Sequence, residues 1–103
     1  MTAPRFDELI HPGTRLSIVA LLASTDWAEF AFLRDQLDLS DSALSKQLST
    51  LEEAGYVIIE RPLREHRRRV RARLTDVGRA AFQGHVAALQ QIVGSADLER
   101  LTA

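Results

Sequence analysis

Leu44, Leu48 and Leu51 recur at i, i+4 and i+7, the clearest periodicity in the chain, and predict an amphipathic helix over about 41–54. Ser40 is a good N-cap for it, and Gly55 permits the left-handed residue that stops it. Upstream, Phe30, Leu33 and Leu37 line one side of a compact helix over Ala31–Leu37, with a tight turn at Asp38-Leu39. Thr14–Ala23 is apolar almost all round from Leu16 onward, so it is expected to lie centrally, covered on several sides. Pro12 suits the first turn of that helix. Phe6 with Asp7–Ile10 predicts a short helical segment, interrupted near His11-Pro12-Gly13. Trp27–Phe30 reads as a very short strand or as the start of the following helix.

Past Gly55 the period changes. Tyr56–Glu60 is β-branched and apolar enough for a strand, and Val70–Thr75 alternates Val, Ala and Leu with Arg, Arg and Thr, a half-buried strand. The polar residues between them make this a β-hairpin with an extended tip. Thr75-Asp76 caps a last helix from Val77 to about Val93, weakened by Gly78 and Gly84, and Gly94–Ala103 is expected to fray or add a turn. The expectation is one domain over residues 1–103, mainly α with a small β-hairpin (α+β): a helix-turn-helix carrying a wing.

Charge sharpens this reading. The formal net charge of the 103 residues is −1, which by itself argues against strong nucleic-acid binding. Between Arg61 and Arg73, however, seven arginines face one acid, Glu65, so a local +6 is set against about −7 elsewhere. Such segregation is a footprint for a polyanion. The chain has no cysteine, which excludes disulfides and thiolate metal sites. No signal-peptide pattern or membrane-length apolar run stands out, so an intracellular, cytoplasmic protein associated with the nucleoid through DNA is expected, with no membrane partner.

With the leucines turned inward, Ser42, Ser45, Lys46 and Ser49 share the opposite face of the 41–54 helix, flanked by Asp41 and Gln47. Small polar residues and one lysine suit a major groove, where serines donate to bases or phosphates, Lys46 reaches a guanine edge or a phosphate, and Gln47 reads adenine unless it turns toward the hairpin. In the hairpin, Arg64, His66, Arg67, Arg68, Arg69 and Arg71 are the candidate contacts to backbone or minor groove, because the guanidinium fork binds phosphate bidentately. Arg71 and Arg73 alternate along the solvent face of the returning strand. The alternative is a solvated charge run, or an ion-pair network with the acidic remainder.

The run Leu44-Ser-Lys-Gln-Leu-Ser-Thr-Leu-Glu-Glu-Ala-Gly-Tyr-Val57, a charged hairpin, and then Leu74-Thr-Asp-Val-Gly78 resembles the winged-helix transcriptional regulators of the MarR/ArsR-like type, across roughly Phe6 to Val93. The resemblance implies a double-stranded-DNA-binding regulator, and that some relatives release DNA when a small-molecule effector enters a cleft near the dimer interface. Trp27, Phe30, Phe32 and Phe82 are candidates for lining one, or else are core. Repression is expected, since a compact dimer without an activation segment blocks polymerase by occupancy. Phe6, Leu9 and Ile10 at one end, and Phe82, Val86, Leu89, Ile92 and Val93 at the other, exceed what a three-helix core covers, and predict a homodimer through terminal helices at about 5–23 and 76–93.

Three other functions compete. Catalysis would need a nucleophile with its base or paired carboxylates in a cleft, and no such set stands out, so no catalytic residue and no cofactor are expected. A metal sensor would have to draw on His11, His66 and His85, with His11 and His85 meeting across the dimer; no metal ligands are expected. A winged helix can also serve protein–protein contact, against which the concentrated arginines count.

Overall fold

The computed structural model describes residues 3–61 and 69–102, with only the backbone described from 97 onward. Among the described residues, four helices and three short strands follow the order α1 (Gly13–Ala23), β1 (Ala28–Glu29), α2 (Phe30–Leu37), α3 (Asp41–Glu53), β2 (Val57–Glu60), β3 (Arg71–Leu74) and α4 (Asp76–Thr102). The central position expected of α1 holds: Ile18, Val19 and Leu22 are fully buried, and the helix packs on α2, α3, α4 and β3. Leu33 of α2, Leu44, Leu48 and Leu51 of α3, and Val57, Ala72 and Leu74 of the sheet complete the core with it.

The 7–10 segment is a single turn rather than a helix. The Asp7 carboxylate takes the amides of Leu9 (2.9 Å) and Ile10 (3.1 Å), and the His11 amide donates to the Asp7 carbonyl (3.0 Å). The turn cannot propagate, because Pro12 lacks an amide donor and disfavours a helical residue before it. Ala3–His11 is therefore a strap that runs against α4, where the Arg5 amide donates to the Gly84 carbonyl at 2.9 Å.

Trp27–Phe30 resolves into both of its sequence readings. Ala28 and Glu29 pair antiparallel with Ala72 and Arg71, and the helix begins at Phe30, whose amide is held by the Val70 carbonyl at 2.8 Å. The sheet order is β1-β3-β2, so β3 is central and the expected hairpin is two-thirds of a three-stranded sheet. Two residues carry no readable period; only the long-range pairing makes them a strand.

Gly55 sits at φ 81°, in the left-handed region, as its place after the third helix required. The Leu74–Gly78 motif is a structural joint. Thr75 donates through Oγ1 to the Gly55 carbonyl (2.7 Å) and accepts the Gly78 amide (2.9 Å), capping α4. Gly78 is there for close approach: a Cβ at this position would stand 2.1 Å from the Tyr56 carbonyl oxygen.

From this joint α4 runs well past Val93, to Thr102, about 40 Å of helix. It accounts for the elongation of the molecule, 62 × 26 × 20 Å. Gly94 costs the helix only propensity, since no Pro follows to break it.

Candidate nucleic-acid interface

The turn between α2 and α3 is built from local chemistry. Asp38 adopts the left-handed conformation (φ 53°), a short polar side chain being among the few that tolerate it, and the Leu39 amide returns to the Arg34 carbonyl at 3.0 Å. The Ser40 hydroxyl accepts the Ala43 amide at 3.1 Å, the capping role expected of it. Arg34 then bridges the turn, donating to Asp35 (2.9 Å) and Asp41 (3.0 Å), and both carboxylates, Asp35 foremost, hold its guanidinium in the charged state. Periodicity gave no sign of this clamp, because Arg34 stands on the polar side of its own helix.

With Leu44, Leu48 and Leu51 buried, α3 exposes Ser42, Ser45, Lys46 and Ser49 to solvent. The two flanking residues are placed differently. Asp41 is exposed but held by Arg34. Gln47 is half-buried and turns toward α1, where its Oε1 accepts from Arg15 Nη1 at 2.7 Å; Arg15 Nε donates to the Leu9 carbonyl at 2.6 Å. Gln47 thus faces inward to a structural partner that lies 32 residues away in sequence.

On the sheet the alternation holds: Ala72 and Leu74 are buried and Arg71 and Arg73 face outward. Those arginines do not stand free, however. Arg69 pairs with Glu29 (3.2 Å), Arg71 with Glu60, Arg73 with Asp26 (3.5 Å) and Arg61 with Glu52 (3.7 Å). The register explains part of this, since Arg71 lies between Glu60 on one neighbouring strand and Glu29 on the other. The acids within the segment do not measure its neutralisation, because β1, β2, α3 and the turn before β1 bring Glu29, Glu60, Glu52 and Asp26 from outside it. Trp27 lies beneath two of these guanidinia, 4.3 Å from Arg71 and 5.5 Å from Arg73. Arg64, His66, Arg67 and Arg68 lie outside the described residues.

These elements enclose a cleft of about 460 Å³ between α2, α3 and the wing, its polar lining including Arg34, Ser45, Arg61, Arg69 and Glu29. Exposed ion pairs of this kind are worth about 0–1 kcal/mol each, so a phosphate can take over the guanidinium at little cost. The four candidate cleft aromatics do not act together. Phe30 lines this cleft, Phe82 packs on the core, Phe32 is exposed and Trp27 is covered by arginine.

The terminal apolar residues also divide. Ile10 is fully buried within its own protomer and is unavailable to a partner, while Leu9 and Phe82 pack on the core. Val86 and Leu89 are half-buried, and Phe6, Ile92 and Val93 are exposed by 43%, 56% and 53%. His11 and His85 meet within one chain rather than across two: His11 Nδ1 lies 3.2 Å from His85 Nε2. The fold brings the strap to α4 inside the protomer, so this contact needs no second copy.

A helix-turn-helix whose second helix presents a short polar face, followed by an arginine-bearing antiparallel wing, defines the winged-helix class of DNA-binding proteins. The chain belongs to the winged helix DNA-binding domain family, whose model it matches over residues 14–93. An uncharacterized protein of Methanocaldococcus jannaschii is 32% identical over 85 residues, spanning 82% of this chain and 92% of that one. Among solved structures, a transcriptional regulator homologue from Pyrococcus horikoshii superposes with a TM-score of 0.83 at 23% identity, covering 88% of this chain and 90% of its own. A zinc-responsive MarR family member from Lactococcus lactis, ZitR, shares the fold with a TM-score of 0.60 at 24% identity, over 82% of this chain and 57% of its own.

Proposed function

We propose that the protein represses transcription as a homodimer on a palindromic operator. Each protomer lays α3 in a major groove, about one helical turn (~34 Å) from its partner, with the wing on the flanking backbone and minor groove. The observation that carries this reading is the adjacency of the two surfaces: Ser42, Ser45, Lys46 and Ser49 are exposed on α3, and Ser45 and Arg69 line one cleft with Arg34 and Arg61. Serines and Lys46 then select sequence, and Arg64 to Arg71 supply affinity with little sequence preference. The exposed Ile92 and Val93 on the projecting part of α4, with Phe6, support pairing of two copies.

Selection of bound duplexes from a random pool tests the whole reading. A palindrome with half-sites one turn apart is the expected result, and recovery of no common sequence would refute sequence-specific regulation. If the dimer neutralises about 6–8 phosphates, log affinity falls with log salt with a slope of about −5 to −7. Sedimentation as a monomer at micromolar concentration would remove the dimer.

A further inference from the structure

The strap is bonded directly to α4 and is linked to α3 through Arg15 and Tyr56, and the proposed function depends on both helices. On α4, the Asp7 amide donates to His85 Nδ1 (2.9 Å), the Arg5 amide donates to the Gly84 carbonyl, and the Phe6 ring lies tilted against His11 and edge-on to His85, with both centroids at 4.7 Å. Toward α3, the Leu9 carbonyl anchors Arg15, which holds Gln47, and the Tyr56 hydroxyl, just beyond the end of α3, donates to Asp7 Oδ2 at 2.6 Å. We propose that Ala3–His11 is a positioning element for the recognition helix, and that the His11–His85 pair is its proton-sensitive lock on α4. This rests on the DNA-binding reading only in its consequence for affinity.

Proton bookkeeping is what makes the pair a lock. Because the Asp7 amide must donate, His85 Nδ1 must accept, so the neutral ring carries its proton on Nε2. That proton points at His11 Nδ1, which must accept as well. One tautomer of each ring satisfies the chain, and a further proton on His85 Nδ1 does not fit, because it opposes the Asp7 amide. His85 is fully buried, and its pKa is held below the ordinary histidine range, by burial first and then by His11, with Asp7 opposing. The Asp7 carboxylate is already occupied by Leu9, Ile10 and Tyr56, so it is poorly placed to accept a new imidazolium. The groups whose charge bears on His85 are His11 and Asp7, and α4 carries no Asp, Glu, Lys or Arg from Ala80 to Ile92.

The sign follows. A histidine whose pKa is depressed in the locked form contributes fully above its free value of about 6.5, and the contribution is lost as pH falls below that through the lower value. Acid therefore releases the strap, and with it the Leu9–Arg15–Gln47 tie to α3.

Nuclear magnetic resonance on the full chain between pH 8 and 5, without DNA, tests the coupling. The Asp7 amide, the Gln47 side-chain amide and the backbone of α3 should shift with the midpoint of His85, and α3 shifting with another midpoint or not at all would overturn the proposal. His85→Asn places Oδ1 where Nδ1 stands, keeps the Asp7 amide satisfied and takes no proton, so the α3 response should vanish with the fold intact. Arg15→Met is the second variant: Asp7 should still respond and α3 should not, and an unchanged α3 response would refute the route. Binding to a labelled 30-base-pair duplex recovered by the random-pool selection should weaken at fixed salt on the order of tenfold from pH 8 to 5.5, and less than about twofold in His85→Asn. Equal weakening in both proteins would overturn the lock. A wild type that shows the coupling yet binds no duplex would sink the DNA reading and uphold the strap.

Discussion

Gly78→Ala sets two physical effects against each other, and the structure decides between them. From helix propensity alone, replacing a helical glycine by alanine gains about 1 kcal/mol, partly by stiffening the unfolded chain. In the fold, the new Cβ would lie 2.1 Å from the Tyr56 carbonyl oxygen and 2.9 Å from its carbonyl carbon, so α4 must retreat by roughly 1 Å. The obstacle is backbone, which cannot swing aside as a side chain would. It is also the acceptor of the Thr75 amide (3.0 Å), and the Gly78 amide itself caps onto Thr75, so the retreat stretches the joint between sheet and helix. Overpacking costs about 1–3 kcal/mol or more, and each strained hydrogen bond about 1 kcal/mol. Against the propensity gain, the net is a loss of about 2–4 kcal/mol, or a fall in Tm on the order of 15 °C for a domain of this size. Urea and thermal unfolding at fixed protein concentration, followed by Trp27 fluorescence and by far-ultraviolet circular dichroism, measure it. Gly94→Ala is the control: nothing lies within 4 Å of its Cβ position, so it should be neutral or gain up to about 1 kcal/mol. A Gly78→Ala protein as stable as the wild type would refute the close-approach argument.

Two further outcomes follow from named contacts. The Tyr56 hydroxyl, bonded to Asp7 and partly buried, has its pKa pushed up to about 12; its contribution is complete below the ordinary tyrosine value near 10 and is lost as pH rises from there toward 12. As the single tyrosine of the chain it can be followed by tyrosinate absorbance without ambiguity, and titration near pH 10 would show that the Asp7 bond is not made in solution. Glu60→Gln removes the carboxylate that competes with phosphate for Arg71, so affinity for any duplex should rise roughly two- to fivefold with a steeper salt slope; weaker binding would mean that the pair orders the wing rather than covering it.

The wing arginines and the strap show where reading the chain stops. The inward leucines of α3, its Ser40 cap, the Gly55 stop and the outward serines with Lys46 follow from spacing and local stereochemistry, both of which act within one helix. Positions that depended on a partner distant in sequence were not legible. Gln47 has the same helical spacing whether it meets a base or Arg15. Nothing local distinguishes a free Arg71 from one set between Glu29 and Glu60. The pairing of Ala28-Glu29 with β3 leaves no period in two residues.

Sequence by itself determined the succession of α1, α2, α3, hairpin and α4, the leucine face that α3 turns inward and the concentration of positive charge in one hairpin, because periodicity, capping and charge count are properties of neighbouring residues. Tertiary structure alone decided which arginines are neutralised, that Ile10 is spent on its own core, and that Asp7, His11 and His85 form one hydrogen-bonded chain. Each of those depends on groups that are up to 78 residues apart and meet only once the hydrophobic core has closed.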